Sequence, residues 1–399
     1  MICIEIRANI ISYNKNISFT IMIKGGRSNM KKMIQTVLLQ LISLVLLTIA
    51  NPATASEWPM FRANPLRTGT IETKNANSKV TLSGEKDWSL KISHSIQSSP
   101  AIYENAIIFG SDDGYIYSLD AKNKNLNWSF YAENWVVSSP SILDGKVFVG
   151  SYNGKMYCLD AKTGRMIWQF TTHNSISSSP SVDDETVYFG SHDGFVYAVN
   201  IKTGWQKWRL KTERPVQGSP SIANGVVYIG NNEGKLFAID STSGKLLWRA
   251  IVGGEIKSAP SISDGLLYFT SQDGKLYCAK IKHQAVIWSY DSKAQIETSP
   301  LIQNNKVIFG NIGGWVTALD AKSGKVLWKY KANEAVYSSP AGINGNIIFG
   351  TNDNSLICLD DNGKFIWSTP LDGNITTAPA VAENRIIVTS TDGKVTSIK

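Results

Sequence analysis

Tryptophan is the residue that most strongly suggests chemistry in this sequence, because it returns at a nearly fixed spacing. A ring of indoles can line a cofactor site. One large apolar side chain per repeat is also what a packing contact between neighbouring repeats requires. We predict the packing role for all eight: Trp88, Trp128, Trp168, Trp208, Trp248, Trp288, Trp328 and Trp367.

Aspartates before turns carry the oxygen ligands that calcium prefers. One carboxylate per repeat cannot gather round one ion, and no stretch has the oxygen-rich loop of an EF-hand. An aspartate that starts a tight turn can instead bond to its own backbone two residues on. We therefore predict turn caps and no metal site at Asp120, Asp160, Asp240, Asp320 and Asp360.

The thiols and imidazoles do not form a reactive set. Cys158, Cys278 and Cys358 share one repeat position, where the other repeats have Ser or Ala. This pattern indicates a buried position with room for only a small side chain. The three repeats are too far apart for the thiols to form disulfides. The four histidines lack metal spacing, and His192 falls in a predicted turn. Because no Ser-His-Asp set or phosphate loop appears, we predict no catalytic residue.

The elements that carry these residues follow the same period. Proline recurs at 100, 140, 180, 220, 260, 300, 340 and 379, a spacing of 40 with one of 39. In the third unit, residues 176–182, 186–191, 195–200 and 205–210 read as strands between turn residues. No stretch of 56–399 shows a helical period. Four short strands in each repeat of this length predict the blades of a β-propeller.

The ends of the repeat fix the number of blades. The last unit stops after three strands, whereas residues 86–91 (KDWSLK) form a tryptophan strand that nothing precedes. Pairing these segments closes the ring and leaves no open strand edge. We predict an all-β, eight-bladed β-propeller of four-stranded antiparallel blades over residues 86–399, closed by the N-terminal strand around Trp88.

A contrast between repeats predicts a binding surface. Before each Ser-Pro or Ala-Pro, one position is always Ile or Val, from Ile96 to Ile375, while the next position varies freely, from Gln97 to Thr376. Since strand side chains alternate faces, the first set should pack between blades and the second should face the central channel or its mouth. Solvated positions free to vary would show the same pattern. The predicted recognition face contains Trp135, Arg214, Glu255, Lys257, Glu297 and Tyr337.

The N-terminal region reads as an export signal. Met30-Lys31-Lys32 precedes an apolar run at 34–50 and the small residues Ala53-Thr54-Ala55. This pattern predicts a signal peptide over 30–55 with cleavage after Ala55. The alternative is an uncleaved membrane anchor. We expect residues 1–29 to be an upstream extension foreign to the native protein, and 56–85 to be a leader segment.

Composition excludes several classes of protein. With 43% hydrophobic residues and only 4 Cys, the chain is neither disordered nor a disulfide scaffold. Residues 1–55 hold six Lys or Arg and one Glu, which contribute +5 of the +8 net charge, so 56–399 carry 8 − 5 = +3. This small surplus does not predict a nucleic-acid partner.

Three segments resemble the tryptophan-docking repeat of propellers of the pyrroloquinoline-quinone (PQQ)-like family: YCLDAKTGRMIW (157–168), FAIDSTSGKLLW (237–248) and ALDAKSGKVLW (318–328). Residues 58–69 (WPMFRANPLRTG) also resemble the leader of exported members. Some units depart from the repeat, since Lys124 and Gln284 replace the turn glycine, and Asn200 and Lys280 replace the turn aspartate.

The resemblance implies a function. BamB-like members of the family imply an exported, periplasmic or extracellular scaffold without catalysis or cofactor, which binds a protein of the cell envelope. Those members carry a lipidated Cys, and no Cys stands directly after the apolar run here. PQQ-dependent dehydrogenases imply PQQ and calcium, but their long insertions and adjacent-Cys disulfide are absent from the sequence. A third reading is a carbohydrate- or small-ligand-binding propeller with Trp135 and Tyr337 as stacking platforms.

Overall fold

The computed structural model describes residues 3–8, 19–24, 58–71, 82–92, 94–282, 285–382 and 385–399. The chain divides into two units, Met1–Thr54 and Ala55–Lys399. In the first, β1 (Cys3–Ala8) pairs with β2 (Phe19–Lys24) in an antiparallel sheet. The predicted signal at 30–55, with its cleavage site at Ala55, lies outside the described residues.

The second unit is built of short strands. Two of them, β3 (Thr70–Ile71) and β4 (Lys86–Lys91), come first. The next strands are β5 (Ala101–Tyr103), β6 (Ala106–Gly110), β7 (Tyr115–Asp120), β8 (Leu126–Tyr131), β9 (Ser141–Leu143), β10 (Lys146–Gly150), β11 (Lys155–Asp160), β12 (Met166–Thr171), β13 (Ser181–Val182), β14 (Thr186–Gly190), β15 (Phe195–Asn200) and β16 (Gln206–Lys211). Then follow β17 (Ser221–Ala223), β18 (Val226–Gly230), β19 (Lys235–Asp240), β20 (Leu246–Ile251), β21 (Ser261–Ser263), β22 (Leu266–Thr270), β23 (Lys275–Lys280) and β24 (Val286–Asp291). The last are β25 (Leu301–Gln303), β26 (Lys306–Gly310), β27 (Trp315–Asp320), β28 (Val326–Lys331), β29 (Ala341–Ile343), β30 (Asn346–Gly350), β31 (Ser355–Leu359), β32 (Phe365–Pro370), β33 (Ala380–Ala382), β34 (Arg385–Thr389) and β35 (Lys394–Ile398).

These strands form the eight-bladed propeller that the repeat predicts. Blades 1 to 7 each consist of four consecutive antiparallel strands, beginning with β5–β8 and ending with β29–β32. Blade 8 combines β33, β34 and β35 with β4, and Trp88 pairs with Ser397. The innermost strand of blade 8, β33, contacts that of blade 1, β5. The prediction of a ring closed by the strand around Trp88 is therefore confirmed. Within the described ranges, no helix is long and apolar enough to cross a membrane.

The innermost strands are shorter than the sequence predicts. In blade 3, β13 covers only Ser181–Val182, although alternation predicts a strand over 176–182. Pro180 has no N–H for a ladder, and the serines before it bond to the next blade instead. Ser138 donates its hydroxyl to the Ser178 carbonyl (3.0 Å), and the Ser139 N–H donates to the Ser179 hydroxyl (2.9 Å). We call the serines that bond from one blade to the next in this way the serine belt. The hydroxyls that accept a backbone N–H from another blade are those of Ser99, Ser139, Ser179, Ser219, Ser299 and Ser339.

The repeated tryptophans lie between blades. Trp128 of blade 1 donates its indole N–H to the Ala161 carbonyl of blade 2 (2.9 Å). Its ring covers Gly164, where an added Cβ would lie 2.6 Å from Cδ2 of the indole. The seam between blades 8 and 1 differs, because Lys124 (φ +66°) replaces the turn glycine and the buried indole N–H of Trp88 has no hydrogen-bond partner. Most blades are thus fastened to the next both at the outer edge and at the serine belt.

Candidate binding surface at the channel mouth

The leader occupies one end of the central channel. Its residues 58–71 run round the innermost strands, near the turns that lead to the second strands. The leader pairs with six blades through its backbone, at Trp58 with Ile102, Met60 with Ser141, Pro65 with Ile222, Leu66 with Ile262, Thr68 with Ile302 and β3 with β29. The sequence did not predict this path, because the leader has no period and its bonds are made by the backbone.

Two leader arginines tie blades together inside the channel. Arg62 and Arg67 are fully buried, and each guanidinium bridges proline carbonyls of two neighbouring blades. Burial lowers the pKa of both to about 9, and the charge of Arg62 lowers that of Arg67 further, so both stay protonated at neutral pH. A planar group with five donors suits such a bridge better than an ammonium does. The carbonyls are those of Pro300 and Pro340 for Arg62, and Pro180 and Pro220 for Arg67.

The opposite end of the channel is lined by the variable positions. The invariant Ile or Val before each of them is buried, and Val136 packs on Gly110, where an added Cβ would lie 2.3 Å from Cγ1 of the valine. The positions that follow are all partly or fully exposed. They precede the innermost strands, so the contrast in burial comes from this packing on glycine and not from alternation within a strand. The variable residues are Gln97, Val137, Ser177, Gln217, Lys257, Glu297, Tyr337 and Thr376.

A second variable set, which the sequence analysis missed, meets the first at this end. It is the second residue after each second strand, and its N–H donates to the carbonyl two positions before the corresponding member of the first set, at 2.9 to 3.1 Å in all eight blades. The set varies as freely as the first, and this was the signal that could have revealed it. Its members are Asp112, Tyr152, His192, Asn232, Gln272, Ile312, Asn352 and Thr391. The two sets, together with Trp135 and Glu255, which stand two positions before members of the first set, are called the mouth ring.

Aromatic side chains form a chain along one arc of the mouth ring. Trp135, two positions before Val137, is 53% exposed, and its ring centroid lies 5.9 Å from that of Tyr152. Tyr152 in turn lies 5.8 Å from the ring of His192, whose Nε2 is 2.8 Å from the Ser177 hydroxyl. Burial lowers the pKa of His192 below its usual value, opposed by the charge of Asp193 and reinforced by that of Lys257. The imidazole is therefore neutral at pH 7.

Charged and amide groups line other parts of the mouth ring. Lys257 pairs with Glu255 at 2.9 Å, Gln272 donates to Glu297 at 3.0 Å, and Gln97 donates to one oxygen of Asp112 at 2.8 Å. Thus the structure brings together three predicted residues, Glu255, Lys257 and Glu297, with groups of the second set.

Electrostatic effects show that distant blades converge here. Burial raises the pKa of Tyr152, the charge of Asp112 raises it further, and that of Lys257 lowers it. These groups belong to blade 2, blade 1 and the connection into blade 5. Charges from these separate parts of the mouth ring therefore act on one tyrosine.

The remaining predicted residues stand outside this cluster. Arg214 is exposed on the connection from blade 3 to blade 4. The hydrogen bond from Lys235 is the main cause of the lowered pKa of Glu233, and the charge of Arg214 lowers that pKa further. Tyr337 is partly buried in the mouth ring, on the connection from blade 6 to blade 7. Neither belongs to the aromatic chain that starts at Trp135.

Ligand groups for a metal ion are not gathered within the described residues. In the part of the chain that the structure describes, no group of three or more His, Cys, Asp or Glu could hold a metal ion. The turn aspartates are engaged by their own backbone, as when Asp160 accepts from the Thr163 N–H at 2.8 Å. Cys158, Cys278 and Cys358 are free and buried, and burial raises the pKa of each thiol to about 12.

Eight four-stranded blades, with a tryptophan of each blade set against the next, define a PQQ-like β-propeller. The family model described as "Outer membrane protein assembly factor BamB" matches residues 134–257, 250–341 and 313–399. These matches cover more than half of the sequence, and the chain belongs to this family.

Solved structures share the fold at low sequence identity. BamB from Moraxella catarrhalis is 21% identical with a TM-score of 0.70, over 78% of this chain and 98% of that one. A europium-containing methanol dehydrogenase is 15% identical with a TM-score of 0.73, over 84% and 89%. The quinohemoprotein alcohol dehydrogenase from Comamonas testosteroni is 12% identical with a TM-score of 0.75, over 87% and 81%. No curated protein sequence matches significantly.

Proposed function

We propose that this chain is an exported, non-catalytic propeller that binds a protein partner in the cell envelope through the mouth ring. The observation that carries this proposal is the difference between the two ends of the channel. At one end the leader is held by backbone bonds and the buried Arg62 and Arg67. At the other, side chains differ from blade to blade and the large apolar Trp135 is exposed. Exposed aromatic residues beside polar groups are typical of protein interfaces.

Two further observations support this reading. The family model that matches the chain is that of an outer membrane assembly factor, and a solved BamB shares the fold. Export rests on the predicted signal at 30–55, and location in the periplasm or outside the cell follows from it. The identity of the partner is not part of the proposal.

A second candidate is a PQQ-dependent dehydrogenase, favoured by the structural likeness to the two alcohol-oxidising enzymes. It is the weaker candidate, because the described residues offer no carboxylate cluster for calcium. Adding PQQ and calcium to the pure protein tests it. Dye reduction with methanol or ethanol would establish the enzyme and contradict a purely non-catalytic role.

Site-specific photo-crosslinking tests the proposed function. The crosslinking residue p-benzoylphenylalanine replaces Trp135 in one variant and Trp205 in a matched control. Trp205 is 77% exposed, in the turn between β15 and β16 at the leader end. After irradiation of intact cells, position 135 should give a discrete product with one envelope protein, and position 205 should not. Absence of a product from position 135, or the same product from both positions, would contradict the proposal.

A further inference from the structure

The polar groups of the mouth ring are short of hydrogen-bond donors. One oxygen of Asp112 and the amide oxygen of Asn232 are shielded from solvent and have no hydrogen-bond partner. Glu297 accepts one bond, from Gln272. Buried acceptors without donors are costly, so a ligand that supplies N–H groups would gain these bonds on binding.

The positive charges of the mouth ring do not balance its carboxylates. Lys257 is paired with Glu255, at 2.9 Å. His192 is held neutral, and its Nε2 is engaged with the Ser177 hydroxyl. Asp112 and Glu297 receive only amide donors, from Gln97 and Gln272. Two negative charges therefore remain for a cation.

The aromatic chain supplies the other half of a cation site. Trp135 and Tyr152 lie with ring centroids 5.9 Å apart, and Trp135 is exposed. The N–H of Val136, which follows Trp135, donates to the carbonyl of Ser111, which precedes Asp112, at 3.0 Å, so the indole and this carboxylate stand on adjoining segments. A cation above an indole is attracted by the ring electrons, and arginine is the residue found there most often.

We propose that the mouth ring binds the guanidinium group of an arginine side chain of the protein partner. Its planar fork offers five donors and stacks on aromatic rings, which matches the unpartnered oxygen of Asp112 near Trp135. An ammonium group has three donors on one point and no plane to stack. The inference rests on the proposed function, in that the mouth ring is taken to meet a polypeptide.

Fluorescence anisotropy with short peptides tests this assignment. The probe is fluorescein-labelled Gly-Gly-Arg-Gly-Gly, and its counterpart carries citrulline, which keeps the shape of arginine without its charge. The full-length protein should bind the arginine peptide at least ten times more tightly than the citrulline peptide. D112N should weaken arginine binding several-fold and leave citrulline binding unchanged, and E297Q, across the ring from Trp135, should weaken arginine binding less.

E334Q is the matched control, because Glu334 is an exposed acid on another connection at the same end. It should not change the affinity for the arginine peptide. Circular dichroism and thermal melts of all three variants should match those of the original protein. Equal affinity for the two peptides, or equal weakening by E334Q and D112N, would overturn the arginine site. If the peptide fails to bind while position 135 still crosslinks, partner binding stands and the arginine assignment falls. If the peptide binds while position 135 gives no crosslink, the arginine site stands and the binding of an envelope protein partner falls.

Discussion

Replacing the glycine beneath a docked tryptophan should separate the two reasons for its presence. Gly164 has φ +68°, and a Cβ there would lie 2.6 Å from Cδ2 of Trp128. In Gly164→Ala the left-handed backbone costs about 1–2 kcal/mol. Overlap with the indole costs about 1–3 kcal/mol more. The free energy of unfolding should therefore fall by about 2–5 kcal/mol, the sum of these two effects.

Gly145 provides the matched control. It has φ +69°, and a Cβ there would meet nothing within 4 Å. Gly145→Ala should cost only the backbone part, about 1–2 kcal/mol. Urea unfolding followed by circular dichroism measures both variants, with the midpoint compared at constant slope. If Gly164→Ala destabilises no more than Gly145→Ala, the indole does not dock on the glycine as argued.

The reverse change is available at the seam between blades 8 and 1. Lys124 adopts a left-handed backbone, with φ +66°, at the turn position where most other blades have glycine. Lys124→Gly should raise the free energy of unfolding by about 1 kcal/mol, because relief of the left-handed strain exceeds the flexibility that glycine adds to the unfolded chain. A loss of stability in the same urea assay would contradict this account of the seam.

Two further predictions concern titration and thiol chemistry. Because the pKa of His192 is lowered from 6.5 in the folded state, the unfolded chain binds more protons between the two values. The free energy of unfolding should therefore fall as the pH drops through 6.5. Between pH 7.5 and 5.5 the urea midpoint of His192→Gln should fall less than that of the original protein. An equal fall in both proteins would contradict the burial of the imidazole. With Cys3→Ser, the native protein should not react with Ellman's reagent at pH 8, because only about one thiol in ten thousand is ionised at a pKa of about 12. Stoichiometric labelling without denaturant would refute this for Cys158, Cys278 and Cys358.

The ring could be predicted because its information is periodic. Strand-forming runs between turn residues repeat every blade, and one missing tryptophan strand at the end matched one orphan strand around Trp88. The first strand of each blade was overextended because alternation around Ser-Pro imitates a strand. Those serines bond instead to the neighbouring blade in the serine belt, and local sequence does not reveal a partner 40 residues away.

The candidate surface was predicted only in part. The contrast between a fixed Ile or Val and a variable neighbour pointed to Lys257 and Glu297. The second variable set was overlooked because residues such as His192 fall in turns, where polarity is ordinary. The leader could not be placed from sequence, since Arg62 and Arg67 are of a type usually exposed and only the carbonyls of distant blades explain their burial.

Closure of blade 8 also sets an order of events during folding. Trp88 must find Ser397, which follows 309 positions later in the chain. Bringing such distant segments together costs about 5 kcal/mol of chain entropy when nothing between them is ordered, and far less once seven blades are in place. The last pairing therefore waits until synthesis is almost complete, and a nascent chain halted before β35 keeps Trp88 and the inner edge of β4 uncovered for chaperones and proteases to recognise.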